Sequence, residues 1–183
     1  MKGFEKIIES LPATAKVLDI GCGGLDGENT SDYLIKRFGE SNITGICREN
    51  NESKRYKELH PKLNLIFDNF YHKSFDTTYD IVVVDLNIEN SLKDWSDKGL
   101  AKIADLLKPG GVYITYIMVT KEYGNPAETP ALIENHWLHW WGEPIFSLEA
   151  IGNKLNKLDG WEVYETAQEE RRSYILWVAL RKK

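Results

Sequence analysis

The sequence predicts an α/β fold in which a doubly wound, mostly parallel sheet carries helices on both faces. Short apolar runs alternate with helical patterns at least four times along the chain, as they do in successive βαβ units. The clearest run, residues 79–84, is rich in β-branched side chains and suits a strand buried on both faces. Two runs near the C-terminus are joined by a short polar segment, which favours a hairpin and one antiparallel strand.

Seven strands are predicted in all. They occupy residues 16–20, 42–47, 63–67, 79–84, 112–117, 161–166 and 173–180. The first strand stops at a glycine, and the connection across residues 70–78 is too short for a full crossover helix with its turns.

Helices are predicted between these strands, each with a recognisable end. The N-terminal segment, residues 1–14, carries Phe4, Ile7, Ile8 and Leu11 at amphipathic spacing. The other predicted helices are 31–38, ending at Gly39; 52–59, ending before a proline; 92–107, ending before Pro109-Gly110-Gly111; and 148–158, capped by Ser147 and ending at Gly160.

Length and charge narrow the class of protein. A chain of 183 residues with 42% hydrophobic types suits one domain with a sizeable core, and no linker divides residues 1–183. The 23 basic and 28 acidic residues give a formal net charge of −5. This balance argues against charge-driven binding to nucleic acid or to an anionic membrane.

A cytoplasmic protein is expected from the remaining composition. Two cysteines are too few for a disulfide framework, and no clustered Cys/His pattern indicates structural zinc. The N-terminus has mixed charge and does not read as a signal peptide. The longest mainly apolar stretch, residues 112–119, is far shorter than the ~20 residues of a membrane-spanning helix.

A glycine-rich loop follows the first strand, where residues 17–24 read V-L-D-I-G-C-G-G. In a doubly wound sheet, ligands bind outside the carboxyl ends of the strands, and glycines there let the backbone approach the ligand. A dinucleotide fingerprint G-x-G-x-x-G would need a third glycine where Asp26 stands. The loop by itself is equally consistent with a ligand site and with a tight turn.

Two later motifs make the pattern specific. Residues 75–85 contain F-D-x-x-Y-D-I-V-V-V-D, and residues 104–111 read A-D-L-L-K-P-G-G. In order and spacing, the three motifs resemble those of class I S-adenosylmethionine-dependent methyltransferases, most closely the branch that acts on small molecules. The resemblance implies a Rossmann-like, seven-stranded sheet with an antiparallel C-terminal hairpin strand, and it extends from about residue 15 to the C-terminus.

The same resemblance implies a cofactor site for S-adenosylmethionine, which leaves as S-adenosylhomocysteine. By position, the methionine part would lie over the loop, with Asp19 facing its amino group and Cys22 as a small buried residue of that loop. The adenine would meet an acid and a backbone group after the third strand. The implied cofactor-binding residues are Asp19, Gly21, Cys22, Gly23, Cys47, Asp68, Asn69, Asp85 and Leu86.

One position departs from the family pattern. An Asp or Glu commonly ends the second strand in this family and binds both ribose hydroxyls, whereas this chain has Cys47 there. A thiol is a weak acceptor and cannot replace two strong hydrogen bonds. Two alternatives remain open: Glu49 reaches the ribose, or the contact is lost and the affinity for the cofactor falls.

An aromatic segment over residues 122–146 follows the fifth strand, with a predicted helix across residues 130–142. It holds three of the chain's tryptophans together with His136 and His139. Its alternatives are a lid over the acceptor and a helix anchored in the core or in a dimer interface. Methyl transfer needs a base only when the acceptor loses a proton, so the catalytic residue is left open, with His136, His139 and Tyr116 as weak candidates.

The predicted function is therefore methyl transfer to a small-molecule acceptor. No metal is expected, since no second Asp-Asn pair follows the fifth strand to complete a magnesium site. Alternatives are a non-catalytic S-adenosylmethionine-binding module, supported by Cys47, and a methyltransferase acting on protein or RNA. A nicotinamide enzyme is disfavoured by the missing third glycine.

Overall fold

Seven strands and four α-helices are present in the computed structural model, which describes residues 2–23, 29–84, 99–119, 158–170 and 174–183. The strands are β1 Val17–Ile20, β2 Ile43–Cys47, β3 Asn64–Phe67, β4 Tyr79–Val84, β5 Leu107–Val119, β6 Trp161–Glu170 and β7 Tyr174–Lys182. The helices are α1 Lys2–Glu9, α2 Thr30–Phe38, α3 Asn51–Leu59 and α4 Leu100–Leu106. A 3₁₀ helix, Glu40–Asn42, leads into β2.

Local capping explains where α2 and α3 begin and end. The Asn29 side chain accepts the Asp32 N–H at 2.9 Å and caps α2, which ends at Gly39 in a positive-φ conformation. Helix α3 has a reciprocal capping box between Asn50 and Ser53. Each cap satisfies backbone groups that the first or last turn would otherwise leave unpaired.

The strands form one sheet in the order β3-β2-β1-β4-β5-β7-β6. Strands β1 to β5 run parallel, and β7 is antiparallel to both of its neighbours, β5 and β6. The predicted fold class is confirmed, including the antiparallel C-terminal pair. The strand order reverses between β1 and β4, and this is the place where doubly wound sheets bind ligands.

The two faces of the sheet bury separate cores because successive side chains of a strand point to opposite faces. Leu18, Ile20 and Val82 belong to the core that packs against α4. Val17 and Val83 belong to the opposite core, which also contains the buried face of α1. Asp19 lies between Leu18 and Ile20 and therefore points toward the second face.

Strand β5 begins earlier than predicted. The helix expected over residues 92–107 ends at Leu106 in its described part, and β5 starts at Leu107 instead of at residue 112. The register against β4 shifts between Tyr79 and Ile81, which marks a bulge opposite the proline–glycine segment. Gly110 has φ 74°, a conformation that permits this irregularity.

Several predicted elements lie outside the described residues. They are residues 85–98, including the first part of the predicted helix 92–107, the aromatic segment 122–146, and all but the last residue of the predicted helix 148–158. Residues 68–78, all of which are described, connect β3 to β4 without a helix. No helix within the described ranges has the length and apolar character needed to cross a bilayer.

Candidate functional site

A cleft of about 250 Å³ lies at the carboxyl ends of β1, β2 and β3. One wall is the loop after β1, and the opposite wall is the turn after β3. The end of β2 and the first turn of α3 complete it. The residues that line the cleft are Ile20, Gly21, Cys22, Gly23, Ile46, Cys47, Arg48, Asn50, Glu52, Ser53, Asp68, Asn69, Phe70 and Tyr71.

The glycines of the β1 loop give this wall its shape. Gly21 and Gly23 have φ values of 91° and 98°, a region that side chains with a Cβ adopt only at a cost. The Gly21 N–H donates to the Ile46 carbonyl at 2.9 Å, which ties the loop to β2. A Cβ on Gly23 would lie 3.3 Å from Cδ1 of Tyr56, so the backbone here rests directly on that ring.

Asp19 lies beneath this loop with 0% of its surface exposed. Its Oδ2 accepts a hydrogen bond from the Ser31 hydroxyl at 2.6 Å, and Ser31 Oγ accepts the Gly23 N–H at 3.0 Å. Asp19, α2 and the glycine loop are thereby joined by one chain of hydrogen bonds. A buried carboxylate is costly without polar partners, and the Ser31 hydroxyl supplies one from α2.

Cys22 packs inward from the same loop. Burial, and next the nearby Asp19 carboxylate, raise the pKa of the Cys22 thiol far above its ordinary value. The thiol therefore stays neutral and serves as a small apolar group rather than as a nucleophile. A Cβ on Gly45 would lie 2.6 Å from Cys22 Sγ, so Gly45 makes room for this side chain.

Gly45 is a site-supporting residue that the sequence analysis missed. It pairs in register with Asp19 in the middle of β2. Glycine inside a strand often marks a close approach of neighbouring atoms, and that was the available signal. Here the neighbouring atom is Cys22 Sγ, which the loop after β1 places against Gly45.

At the end of β2, Cys47 is half-buried and lines the cleft. Burial raises the pKa of its thiol, partly offset by the Ser53 hydroxyl. Glu49 does not belong to the described lining of the cleft; it pairs with Lys54 at 3.0 Å, with 58% of its side-chain surface exposed. The acidic residue that does line this wall is Glu52, in the first turn of α3.

The turn after β3 brings Asp68 and Asn69 to the same cleft. The Asp68 N–H donates to the Cys47 carbonyl at 3.1 Å, so the ends of β2 and β3 are tied together. Asp68 Oδ1 accepts the Asn69 N–H at 2.7 Å, and Asn69 Oδ1 accepts the Tyr71 N–H at 2.9 Å. These bonds hold the turn in one defined conformation, in which it lines the cleft.

Lys102 supports this turn from behind, and no motif in the sequence indicated it. Its ammonium, on α4, donates to the carbonyls of Phe70, Tyr71 and Lys73 at 2.6, 3.0 and 2.8 Å. It also lies 4.9 Å from the centre of the Phe70 ring. Desolvation lowers the pKa of Lys102 although the Asp68 carboxylate opposes this shift. Lys102 is a positioning residue for the wall that contains Asp68 and Asn69.

Replacing Lys102 with methionine is expected to raise the dissociation constant for S-adenosylhomocysteine about 3- to 10-fold, because the released turn must be ordered when the ligand binds. Lys182→Met is the matched control. Lys182 donates to the carbonyls of Ala104 and Leu107, away from the cleft. Both variants should lower the melting temperature, but only Lys102→Met should weaken binding in calorimetry. Equal affinities in the two variants would contradict the positioning role.

The structure thus brings seven of the predicted site residues to one place. Asp19 lies beneath the glycine loop, and the lining includes Gly21, Cys22, Gly23, Cys47, Asp68 and Asn69. Asp85, Leu86, His136 and His139 lie outside the described residues, and their roles remain predictions. The backbone of Tyr116 is in β5, opposite Trp177, and its side chain is not described.

The fold and the cleft define a Rossmann-like α/β domain with a ligand site at the switch point of its sheet. The family model described as "Methyltransferase domain" matches residues 18–115, just over half of the chain. The chain therefore belongs to this family, and the resemblance to class I S-adenosylmethionine-dependent methyltransferases is confirmed. No curated protein sequence matches the chain significantly.

Solved structures of methyltransferases share the fold at low sequence identity. The N-methyltransferase NodS from Bradyrhizobium japonicum WM9, in complex with S-adenosylhomocysteine, is 15% identical, with a TM-score of 0.63 over 97% of this chain and 85% of NodS. The glycopeptide N-methyltransferase MtfA with S-adenosylhomocysteine is 13% identical, with a TM-score of 0.65 over 98% of this chain and 87% of MtfA.

A third solved structure contains two bound ligands. It is the 1,6-didemethyltoxoflavin-N1-methyltransferase of Burkholderia thailandensis, with 1,6-didemethyltoxoflavin and S-adenosylhomocysteine bound. It is 14% identical, with a TM-score of 0.67, and the match covers 98% of this chain and 76% of that chain. At these identities the likeness establishes the fold.

Proposed function

We propose that this methyltransferase domain binds S-adenosylmethionine in the cleft and transfers its methyl group in line to a small-molecule acceptor. The observation that carries the proposal is the glycine loop, Gly21–Gly23, which lies over the buried carboxylate of Asp19 at the carboxyl end of β1. The cleft continues from this loop to Asp68 and Asn69, which offer polar groups to a base. Asp19 does not line the cleft itself; it lies beneath the loop and is joined to the Gly23 N–H through Ser31.

The residues present fit the two ends of S-adenosylmethionine. Its ammonium is a cation, and Asp19 supplies a buried carboxylate beneath the glycine loop, where a Cβ on Gly23 would meet the Tyr56 ring at 3.3 Å. Its adenine has an amino donor, for which the Asp68 carboxylate is a suitable acceptor. The Asn69 N–H, which donates to Asp68 Oδ1 in the unliganded turn, would have to turn from that oxygen to the ring edge on binding. When bound, the sulfonium compound supplies an activated methyl group and its own leaving group.

The chain's residues then need only orient the ligand and keep water away from the reacting atoms. The Ser31 hydroxyl and the Gly23 N–H hold the loop over Asp19, and Lys102 holds the opposite wall. A base is required only for acceptors that lose a proton as they react. His136, His139 and Tyr116 remain the weak candidates for that role.

A small-molecule acceptor is supported by the neighbouring structures and by the charge of the chain. The structures compared above include methyltransferases named for a glycopeptide and for 1,6-didemethyltoxoflavin. The net charge of −5 disfavours a nucleic-acid acceptor, whose binding gains from basic side chains. Both described cysteines, Cys22 and Cys47, are free, which supports a cytoplasmic location.

Titration calorimetry with S-adenosylmethionine, S-adenosylhomocysteine and NAD in parallel tests the proposal. We expect both sulfur compounds to bind and NAD not to bind. If neither sulfur compound binds, the proposed function is overturned. Release of S-adenosylhomocysteine, followed over a broad panel of small-molecule acceptors, tests catalysis, and tight binding without turnover on any acceptor would favour the non-catalytic module.

A further inference from the structure

The wall of the cleft formed by α3 contains an acceptor that the sequence analysis did not consider. Of the described residues that line the cleft, two carry a carboxylate, Asp68 and Glu52. Asp68 lies in the turn after β3, and Glu52 lies in the first turn of α3, beside the end of β2. The cleft therefore has one carboxylate on the β3 side and another on the β2 side.

The other polar groups of the α3 wall are already engaged in capping the helix. The Ser53 hydroxyl has the carbonyls of Arg48 and Asn50, each at 3.1 Å, as acceptors for its single proton, and it accepts the Asn50 N–H at 2.9 Å. The Asn50 side chain accepts the Ser53 N–H at 2.8 Å. These bonds close the first turn of the helix and leave little capacity for a ligand.

Glu49 is also engaged, through its ion pair with Lys54 outside the lining of the cleft. Glu52 differs from these neighbours. Within the described ranges, no hydrogen bond or ion pair engages its side chain, and it lines the cleft. Its two oxygens provide about four lone-pair positions for donors of a ligand.

We infer that Glu52 accepts hydrogen bonds from the ribose hydroxyls of the bound cofactor, in place of an acid at the position of Cys47. The inference rests on the proposed function, since it assigns one contact within the same site. A carboxylate can accept from both hydroxyls of a vicinal diol, whereas a thiol is a weak acceptor. The ribose contact is thereby moved from the strand end to the first turn of α3, five residues later in the chain.

The test compares Glu52→Ala with Glu49→Ala, which removes the same type of side chain from the same segment. Each is titrated with S-adenosylhomocysteine and with its 2′-deoxy and 3′-deoxy analogues. Wild type should lose about 10-fold in affinity when a ribose hydroxyl is removed. Glu52→Ala should bind S-adenosylhomocysteine about 10-fold more weakly and should discriminate less than about 2-fold between the intact and deoxy ligands. Glu49→Ala should behave as wild type.

Two results would overturn the inference while leaving the proposed function intact. One is wild-type affinity of Glu52→Ala for S-adenosylhomocysteine. The other is weaker binding with full discrimination against the deoxy analogues, which would indicate a general charge effect. Failure of wild type to bind S-adenosylhomocysteine is a separate outcome that removes the proposed function itself. Because Glu52 is exposed and engaged in no described contact, the variant is expected to fold normally.

Discussion

Asp19→Ala is expected to lower the affinity for S-adenosylhomocysteine by at least about 100-fold, the largest effect we expect from a single substitution. The carboxylate is fully buried and accepts the Ser31 hydroxyl, which in turn holds the Gly23 N–H. Alanine removes both the negative charge beneath the loop and the acceptor that anchors it. Calorimetry measures the affinity, and thermal unfolding should report a stability loss of about 1–3 kcal/mol.

Asp19→Asn removes the negative charge of Asp19 but keeps an acceptor for the Ser31 hydroxyl. Its amide oxygen still accepts from Ser31, so the stability loss should be smaller while binding remains strongly weakened. Asp80→Asn is the control, because Asp80 accepts from Lys108 at 2.6 Å and from the Lys16 N–H at 2.8 Å at the opposite end of the strands. That variant should keep its affinity. A folded Asp19→Ala protein that binds as tightly as wild type would place the ligand elsewhere.

Gly23→Ala is expected to weaken binding of S-adenosylhomocysteine by at least about 10-fold. At φ 98° an alanine pays about 1–2 kcal/mol in backbone strain. Its Cβ would also lie 3.3 Å from the ring of Tyr56. The Tyr56 ring has little freedom to move away, because it is buried and its hydroxyl donates to Asp32 at 2.9 Å. We therefore expect the loop to shift from the position that shapes the cleft.

Gly39→Ala is the matched control for this substitution. Gly39 also has a positive φ, 79°, but a Cβ there meets nothing within 4 Å, and the residue ends α2 away from the cleft. Both variants should lose stability to a similar extent, as measured by thermal unfolding. Only Gly23→Ala should lose affinity in calorimetry. A comparable loss of affinity in Gly39→Ala would show that binding follows general stability rather than the shape of the loop.

The part of the candidate site that depends on local sequence was predictable. The residues of the glycine loop are contiguous, and glycine at Gly21 and Gly23 indicates a backbone that needs positive φ. Asp68 and Asn69 follow a strand directly, so their place at the carboxyl edge of a parallel sheet follows from the strand assignment alone. For these residues, knowing which strand precedes them is enough to know which edge they occupy.

Gly45, Glu52 and Lys102 could not be predicted in the same way. Gly45 matters because the loop of a neighbouring strand places Cys22 Sγ against it. Lys102 matters because α4 packs where three carbonyls of a turn about 30 residues earlier converge. Glu52 and Glu49 are alike in sequence, and only the direction of the helix after its cap decides which of them lines the cleft.

By itself, the sequence determined the alternation of strands and helices, the antiparallel C-terminal pair and the position of the glycine loop. These follow from side-chain periodicity and from backbone conformations that few residues adopt, both of which are local properties. The tertiary structure alone decided the order of the strands, the partners of Asp19 and which of Glu49 and Glu52 lines the cleft. Those depend on contacts between residues far apart in the chain, whose geometry is set only when the sheet and its two cores assemble.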